Sequence, residues 1–136
     1  MVKPIIHDPV FLSRKSSPAT IMDMQTVKDL EDTLMANSNG CVGMAANMIG
    51  VSKRIIIFDN NGKYTVMLNP EIIKTSGEYE AEEGCLSLAG TRKTKRFKNI
   101  TVSFTDKNMK PKKQSFSGFT AEIIQHEIDH CNGILI

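Results

Sequence analysis

The chain has 136 residues, of which 40% are apolar and 24% charged, with a formal net charge of +2. This length suits a single domain, residues 1–136, with one modest core. The sequence has no apolar run long enough to span a membrane and no signal-peptide core at its N-terminus, and its charge is too small to indicate nucleic-acid binding by itself. We therefore expect a cytoplasmic protein that binds neither membranes nor nucleic acid directly.

The N-terminal part of the chain predicts an extended segment followed by one helix. Three prolines interrupt regular structure in residues 1–20. Residues 21–36 have apolar side chains at helical spacing and predict an amphipathic helix, with Asp23 or Thr26 as its N-cap. The sequence Asn-Ser-Asn-Gly at 37–40 is typical of a helix end.

The middle of the chain predicts several strands. The β-branched run at 54–58 is followed by the turn signal Asp-Asn-Asn-Gly at 59–62, and residues 63–68 form the returning strand. Residues 71–74 and 100–105 also have strand character. These segments together favour a mostly antiparallel arrangement.

The last segment, residues 120–132, returns to a helical pattern, and Gly133 is a suitable residue for its end. The order helix, strands, helix predicts an α+β fold. In this fold, mostly antiparallel sheets pack around the C-terminal helix, and an amphipathic helix lies near the N-terminus.

The C-terminal helix contains the strongest functional signal. His126 and His130 are four residues apart and face the same side of a helix, a spacing at which two imidazoles bind one metal ion, with Glu127 beside them as a proton carrier. A third ligand is needed, but Cys131 points roughly 100° away from His130. No His, Asp or Glu follows, so the third ligand must lie upstream, and Cys85 is the best candidate.

The cysteine count agrees with this metal site. Three cysteines in a chain without an export signal argue against a disulfide framework and favour a metal thiolate. Two neutral imidazoles and one thiolate leave a fourth position on a divalent ion for a water, which the ion acidifies. Glu127 would take the proton of that water and deliver it to a leaving group, which is the chemistry of amide or ester hydrolysis.

Three motifs in the chain resemble those of the peptide deformylase family. Residues 83–87, Glu-Gly-Cys-Leu-Ser, reproduce the family's second motif, and residues 125–130, Gln-His-Glu-Ile-Asp-His, its third. Residues 41–48, Cys-Val-Gly-Met-Ala-Ala-Asn-Met, occupy the place of the first motif, GxGxAAxQ. The resemblance covers essentially the whole chain. It implies the deformylase fold and an enzyme that removes the formyl group from the N-terminal formyl-methionine of nascent proteins.

The resemblance also implies roles for individual residues. Cys85, His126 and His130 become the ligands of one divalent ion, which in this family is usually Fe²⁺ in the cell, with Zn²⁺ or Ni²⁺ as substitutes. Glu127 becomes the acid/base catalyst, and the backbone N–H of Leu86 stabilises the oxyanion. The residues expected to contact the substrate are Val42, Gly43, Glu83, Gly84 and Arg92. The expected partner is a nascent or short formylated peptide, the expected state is a monomer, and no segment of the sequence supports ribosome docking.

Two positions depart from the family pattern. The family has a glutamine at the position of Met48, where it donates a hydrogen bond to the formyl oxygen, and a thioether has no donor. Losing one oxyanion donor costs about 2.7–4 kcal/mol of transition-state stabilisation, so we expect a slower but not inactive enzyme. Cys41 replaces a glycine and could narrow the substrate groove, or it could be a small buried filler, which is the more common role.

These departures leave three functions open. The first is a metal-dependent deformylase with reduced activity. The second is a deformylase-like hydrolase for another N-acyl group, which the change at Met48 motivates. The third is a metal- or peptide-binding protein with little turnover, although Glu127 has no evident purpose in a site that only binds.

A basic run at 92–98 and further lysines at 107–113 make the charge distribution uneven. The favoured interpretation is a solvated strand edge and loop. The alternative is a contact with acidic substrate groups or with RNA, but the interleaved aromatic residues that stack on single-stranded bases are absent.

Overall fold

The computed structural model describes residues 1–136 and contains one five-stranded antiparallel sheet with the strand order β1-β2-β3-β4-β5. The strands are β1 (Gly43–Ala45), β2 (Ile55–Asn60), β3 (Lys63–Cys85), β4 (Leu88–Thr105) and β5 (Pro111–Ser117). The helices are α1 (Pro9–Leu12), α2 (Met24–Ala36) and α3 (Gly118–Cys131), with 3₁₀ turns at Ile21–Asp23 and Ala46–Ile49. The predicted α+β fold is confirmed.

The sheet is covered on both faces, which explains why β2 is a continuous apolar run. Ile56 and Phe58 pack in one buried cluster with the apolar side chains of α3. Ile55 and Ile57 point the other way, into a second cluster with α2. A strand whose two faces are both buried has apolar residues at every position rather than at alternate ones.

Strands β3 and β4 form one long hairpin, which the sequence did not predict. The segments expected as separate strands at 63–68 and 71–74 belong to the single strand β3, and shifts of register occur between Leu68 and Glu71 and between Ile72 and Lys74. The interruptions that resemble loops in the sequence are therefore β-bulges within one continuous strand.

The turn before β3 follows the prediction. Asn61 and Gly62 have φ values of 53° and 94°, as a tight two-residue hairpin turn requires. The hairpin of β3 and β4 closes with a second two-residue turn, Leu86 and Ser87, between the paired residues Cys85 and Leu88. This tip lies beside α3.

The basic run at 92–98 lies in β4, on the part of the hairpin that β5 does not cover. Its outward lysines face glutamates of β3: Lys93 pairs with Glu82 and Lys95 with Glu80, and the Nζ of Lys95 is 3.4 Å from Oε1 of Glu78. The interpretation as a solvated strand edge is confirmed for the lysines of this run, which are exposed, but it is wrong for Arg96, which is buried.

The helices begin and end close to the predicted residues, with one correction. Asp23 is the N-cap residue of α2, as predicted, although its side chain makes no capping hydrogen bond to that helix, whereas the alternative, Thr26, lies inside α2. Thr20 caps the preceding 3₁₀ turn by accepting a hydrogen bond from the N–H of Met22, and Asp23 accepts one from the N–H of Thr20. Helix α3 ends before Gly133, whose φ is 75°. Residues 1–20, expected to be extended and loop-like, contain the short helix α1. None of the helices has the length and apolar character needed to cross a bilayer.

Candidate metal centre and active site

The central feature of the site is the approach of the hairpin tip to α3. His126 and His130 are buried on one side of α3, and Cys85 is the last residue of β3. Sγ of Cys85 is 3.3 Å from Nε2 of His130, which is 3.1 Å from Nε2 of His126. The structure thus brings the three predicted ligands together, with their donor atoms all within 4.8 Å of one another.

This donor set fits a divalent transition metal. A thiolate and two imidazoles are ligands for zinc, ferrous iron or nickel, and three protein donors leave a position open for catalysis. Burial lowers the pKa of His130 to about 3, so its ring is neutral and able to bind a metal. Burial opposes a charge on His126, but the Cys85 sulfur and the Glu83 carboxylate raise its pKa to about 10. Metal binding would therefore displace a proton from this ring.

A buried ion-pair network holds the second ring in place. Nδ1 of His126 is 2.8 Å from Oε1 of Glu83. The guanidinium of Arg96 donates two hydrogen bonds to Glu83, at 2.9 and 2.7 Å, and one to Asp129 at 2.7 Å. Burial opposes the charge on Glu83, but His126 and Arg96 lower its pKa to about 2. The carboxylate is therefore ionised and orients the imidazole of His126 toward the ligand cluster.

Sequence reasoning missed Arg96, although a signal for it existed. Inward-facing positions alternate along β3, and Glu83 and Cys85 both occupy them. On β4, Arg96 is the one charged residue of the basic run that is buried. A buried arginine needs a carboxylate partner. This alternation identifies Arg96 as the partner of Glu83 only when the register between β3 and β4 is known.

Glu127 lies beside the ligands in a fully buried position. Its Oε1 atom has no hydrogen-bond partner in the structure. Burial raises the pKa of this carboxyl to about 7, against the opposing effect of the charge on His126. A carboxyl group with a pKa near neutrality can both accept and return a proton, as general acid/base catalysis requires.

A cavity of about 220 Å³ opens in front of these residues. It lies between the loop before β1, the hairpin tip and α3. Most of the predicted site residues line it, namely Val42, Gly43, Met48, Glu83, Gly84, Cys85, Leu86, His126 and Glu127. Arg92 does not line the cavity; it is half-buried, and its guanidinium donates to the Ala89 carbonyl at 3.5 Å. A substrate contact of Arg92 stays a prediction.

The first-motif loop is packed tightly against the catalytic helix. A Cβ atom at Gly43 would lie 2.8 Å from Cγ2 of Ile123 and 2.9 Å from Oε2 of Glu127. No larger residue fits without moving these side chains. The glycine at this position is therefore required by its close approach to Glu127.

The family model for polypeptide deformylase matches residues 2–136. The chain belongs to the peptide deformylase family. A peptide deformylase from Clostridium beijerinckii is 55% identical over 136 residues, which cover 100% of both chains. The crystal structure of a peptide deformylase from Legionella pneumophila superposes with a TM-score of 0.88 at 38% identity, covering 99% of this chain and 83% of that one.

A further structural relative contains a bound peptide. The Met-Ala-Ser-bound class I type b peptide deformylase from Acinetobacter baumannii has a TM-score of 0.89 at 29% identity, covering 99% of this chain and 97% of that one. As a peptide deformylase, the chain is a metal-dependent hydrolase that removes the N-formyl group from nascent peptides. The predicted family, fold and enzyme class are confirmed.

We predict that Arg96→Met destabilises the protein by about 3–5 kcal/mol, because it leaves the Glu83 carboxylate buried without its cation. The affinity for metal should fall on the order of 10–100-fold, since the orientation of His126 is lost. Urea unfolding and chelator competition measure the two effects. Arg92→Met, on the same strand but outside the network, is the matched control. Equal metal affinity of the two variants would contradict the role of Arg96 in orienting His126 through Glu83.

The stability of the metal-free deformylase should depend on pH through the ionisation of Glu127. The pKa of Glu127 is raised to about 7 in the folded state from an ordinary value of 4.5, so folding favours the protonated carboxyl. The stabilisation is complete below about pH 4.5 and is lost as the pH rises through about 7. Between these two pH values the free energy of unfolding of wild type should therefore fall, relative to that of Glu127→Gln, by up to roughly 3 kcal/mol. Parallel stability curves for the two proteins would contradict burial of an ionisable Glu127.

Proposed function

We propose that this single domain hydrolyses formyl-methionyl peptides at a divalent ion bound by Cys85, His126 and His130, with Fe²⁺ as the ion in the cell. The observation that carries the proposal is the convergence of a thiolate and two imidazoles beside Glu127, a buried carboxyl with a pKa near 7, at the base of an open cavity. Chelating ligands, a proton carrier and space for a peptide end are together the requirements of amide hydrolysis.

In this proposal the ion, when bound, supplies an acidified water and a polarised formyl carbonyl. The Glu127 carboxylate, which lines the cavity, would accept the proton of the attacking water and deliver it to the departing amine of the peptide. The carboxylate that orients His126 is Glu83, whose two oxygens are engaged by that ring and by Arg96. We therefore assign Glu83 to ligand orientation rather than to direct substrate binding.

The developing oxyanion has fewer donors than in the family pattern. Met48 is buried at the cavity wall, and its sulfur accepts a hydrogen bond from the Ala45 N–H at 3.5 Å. It has no donor of its own to offer. The backbone N–H of Leu86, at the hairpin tip, is the remaining donor that we assign to the oxyanion. We therefore expect an active but slower deformylase.

Cys41 adds a second difference within the cavity. Its thiol donates to the carbonyl of Gly43 at 3.0 Å. Burial raises the pKa of the thiol to about 11, so it stays protonated and remains a donor at neutral pH. We propose that Gly43 pairs with the substrate backbone, and the Cys41 thiol then competes with the substrate for the same carbonyl.

Formyl-methionyl peptides are the best substrate candidates. Val42, Ile123 and Phe119 give part of the cavity an apolar lining, which suits a methionine side chain. The bound Met-Ala-Ser of the Acinetobacter baumannii relative supports a peptide of this class. Another N-acyl substrate is the second candidate, which the loss of the donor at Met48 favours.

The direct test is release of formate from formyl-Met-Ala-Ser by anaerobically purified, iron-loaded protein. Acetyl-Met-Ala-Ser tests the second candidate in parallel. We expect formate release that Glu127→Gln reduces at least a thousandfold while metal content stays unchanged. Release that persists in Glu127→Gln would overturn the role of Glu127, and faster release of acetate than of formate would favour the second candidate.

Met48→Gln should raise kcat for formyl-Met-Ala-Ser on the order of a hundredfold, because the amide restores a donor to the oxyanion. KM should change little, since the charge develops only in the transition state. Met48→Leu, which is similar in size and offers no donor, is the control and should not gain activity. A kcat for Met48→Gln no higher than that of Met48→Leu would show that the groove, rather than the missing donor, limits turnover.

Cys41→Gly should lower KM for the same peptide roughly twofold to tenfold with little change in kcat, because the Gly43 carbonyl becomes free to accept from the substrate. Cys41→Ser keeps a donor at this position and should not lower KM. If both variants have the KM of wild type, Cys41 is a packing residue.

A further inference from the structure

Two consecutive residues of the N-terminal segment bridge the loops on either side of the cavity. The N–H of Ile6 donates to the carbonyl of Met48 at 2.8 Å. Nδ1 of His7 is 2.9 Å from the carbonyl of Ser87, which lies 80 residues further along the chain. Residues 6 and 7 therefore connect the first-motif turn to the hairpin tip of the second motif.

The hydrogen bond between His7 and the Ser87 carbonyl can have only one direction. A carbonyl oxygen can only accept, so Nδ1 of His7 must carry the hydrogen. The partner, Ser87, is held from its other side as well, because its N–H donates to Sγ of Cys85 at 3.4 Å. The turn residue between Cys85 and Ser87 is Leu86, which is 38% exposed.

The orientation of the Leu86 N–H therefore depends on its two neighbours. Cys85 is fixed by the metal site, and Ser87 is fixed by the thiolate and by His7. A two-residue turn leaves few backbone torsions free once the residues on both sides are held. With Met48 unable to donate, the direction of this one N–H has a greater effect on the reaction than it would in a site with two donors.

We propose that His7 is a positioning residue for deformylation, which anchors the Leu86–Ser87 turn through the Ser87 carbonyl so that the Leu86 N–H faces the oxyanion. The inference rests on the proposed function, because it requires Leu86 to act on the reacting carbonyl. His7 does not line the cavity. Its loss should therefore reduce kcat and leave substrate binding intact.

The test is the steady-state kinetics of formate release from formyl-Met-Ala-Ser by metal-loaded His7→Ala. We expect kcat to fall roughly threefold to tenfold, the range for one hydrogen bond, while KM and metal content stay within twofold of wild type. His7→Asn places an amide N–H near the position of Nδ1 and should restore most of kcat. A role in packing alone gives no reason for this rescue.

Asp8→Ala is the matched control. Asp8 adjoins His7 and caps α1 through the N–H of Val10, and it makes no hydrogen bond to the hairpin tip. Its removal loosens the same segment without touching Ser87, so kcat should stay within twofold of wild type. Thermal unfolding of all three variants verifies that each is folded at the assay temperature.

The outcomes separate this inference from the proposed function. Wild-type protein that releases formate, with a kcat that falls in His7→Ala and recovers in His7→Asn, supports the positioning role. A kcat for His7→Ala within twofold of wild type, no recovery in His7→Asn, or an equal loss in Asp8→Ala overturns it and leaves the proposed function intact. Wild-type protein that releases no formate overturns both.

Discussion

The buried contact of Glu83 with Arg96 and His126 is the interaction on which the rest of the site depends. It joins the long β3–β4 hairpin to α3, because one carboxylate bonds a guanidinium of β4 and an imidazole of the helix. Cys85 follows two residues later on the same face of β3, so fixing Glu83 also brings the thiolate to the two rings. A buried ion pair is weak evidence for stability, but here it sets the register between two elements that supply one metal site.

The candidate catalytic groups lie where three chain segments meet: the first-motif loop, the hairpin tip and α3. Gly43 allows the first-motif loop to approach Glu127, the two-residue turn presents Leu86, and α3 supplies the ligands and the acid/base. The two residues that depart from the family's motif pattern, Cys41 and Met48, both lie in the first-motif loop. In the proposed mechanism they change the hydrogen bonds offered to the substrate and leave the three metal ligands unchanged. We therefore expect these two residues to affect transition-state stabilisation and not metal binding.

Much of this site could be predicted from the sequence because its strongest signals are local. Two motifs can be recognised from a few consecutive residues: the spacing of His126 and His130 on one helix, and the sequence around Cys85. What could not be predicted depends on register between distant segments: the continuity of β3 through its bulges, the burial of Arg96 and the contact of His7 with Ser87. Helix limits were close, while β5 and α1 were missed, since a lysine-rich edge strand and a single helical turn have little periodic signal.

The absorption spectrum of the cobalt-substituted protein, compared with the spectra of Cys85→Ser and Cys131→Ser, tests whether Cys85 is a ligand of the proposed metal centre. Co²⁺ can bind in place of a zinc or ferrous ion, and a thiolate ligand adds a sulfur-to-metal charge-transfer band to the absorption spectrum. We expect one cobalt per chain and a thiolate band that Cys85→Ser abolishes and Cys131→Ser leaves unchanged. A thiolate band that survives in Cys85→Ser, or a wild-type protein that binds cobalt without any such band, would contradict a metal centre built from the hairpin tip and α3.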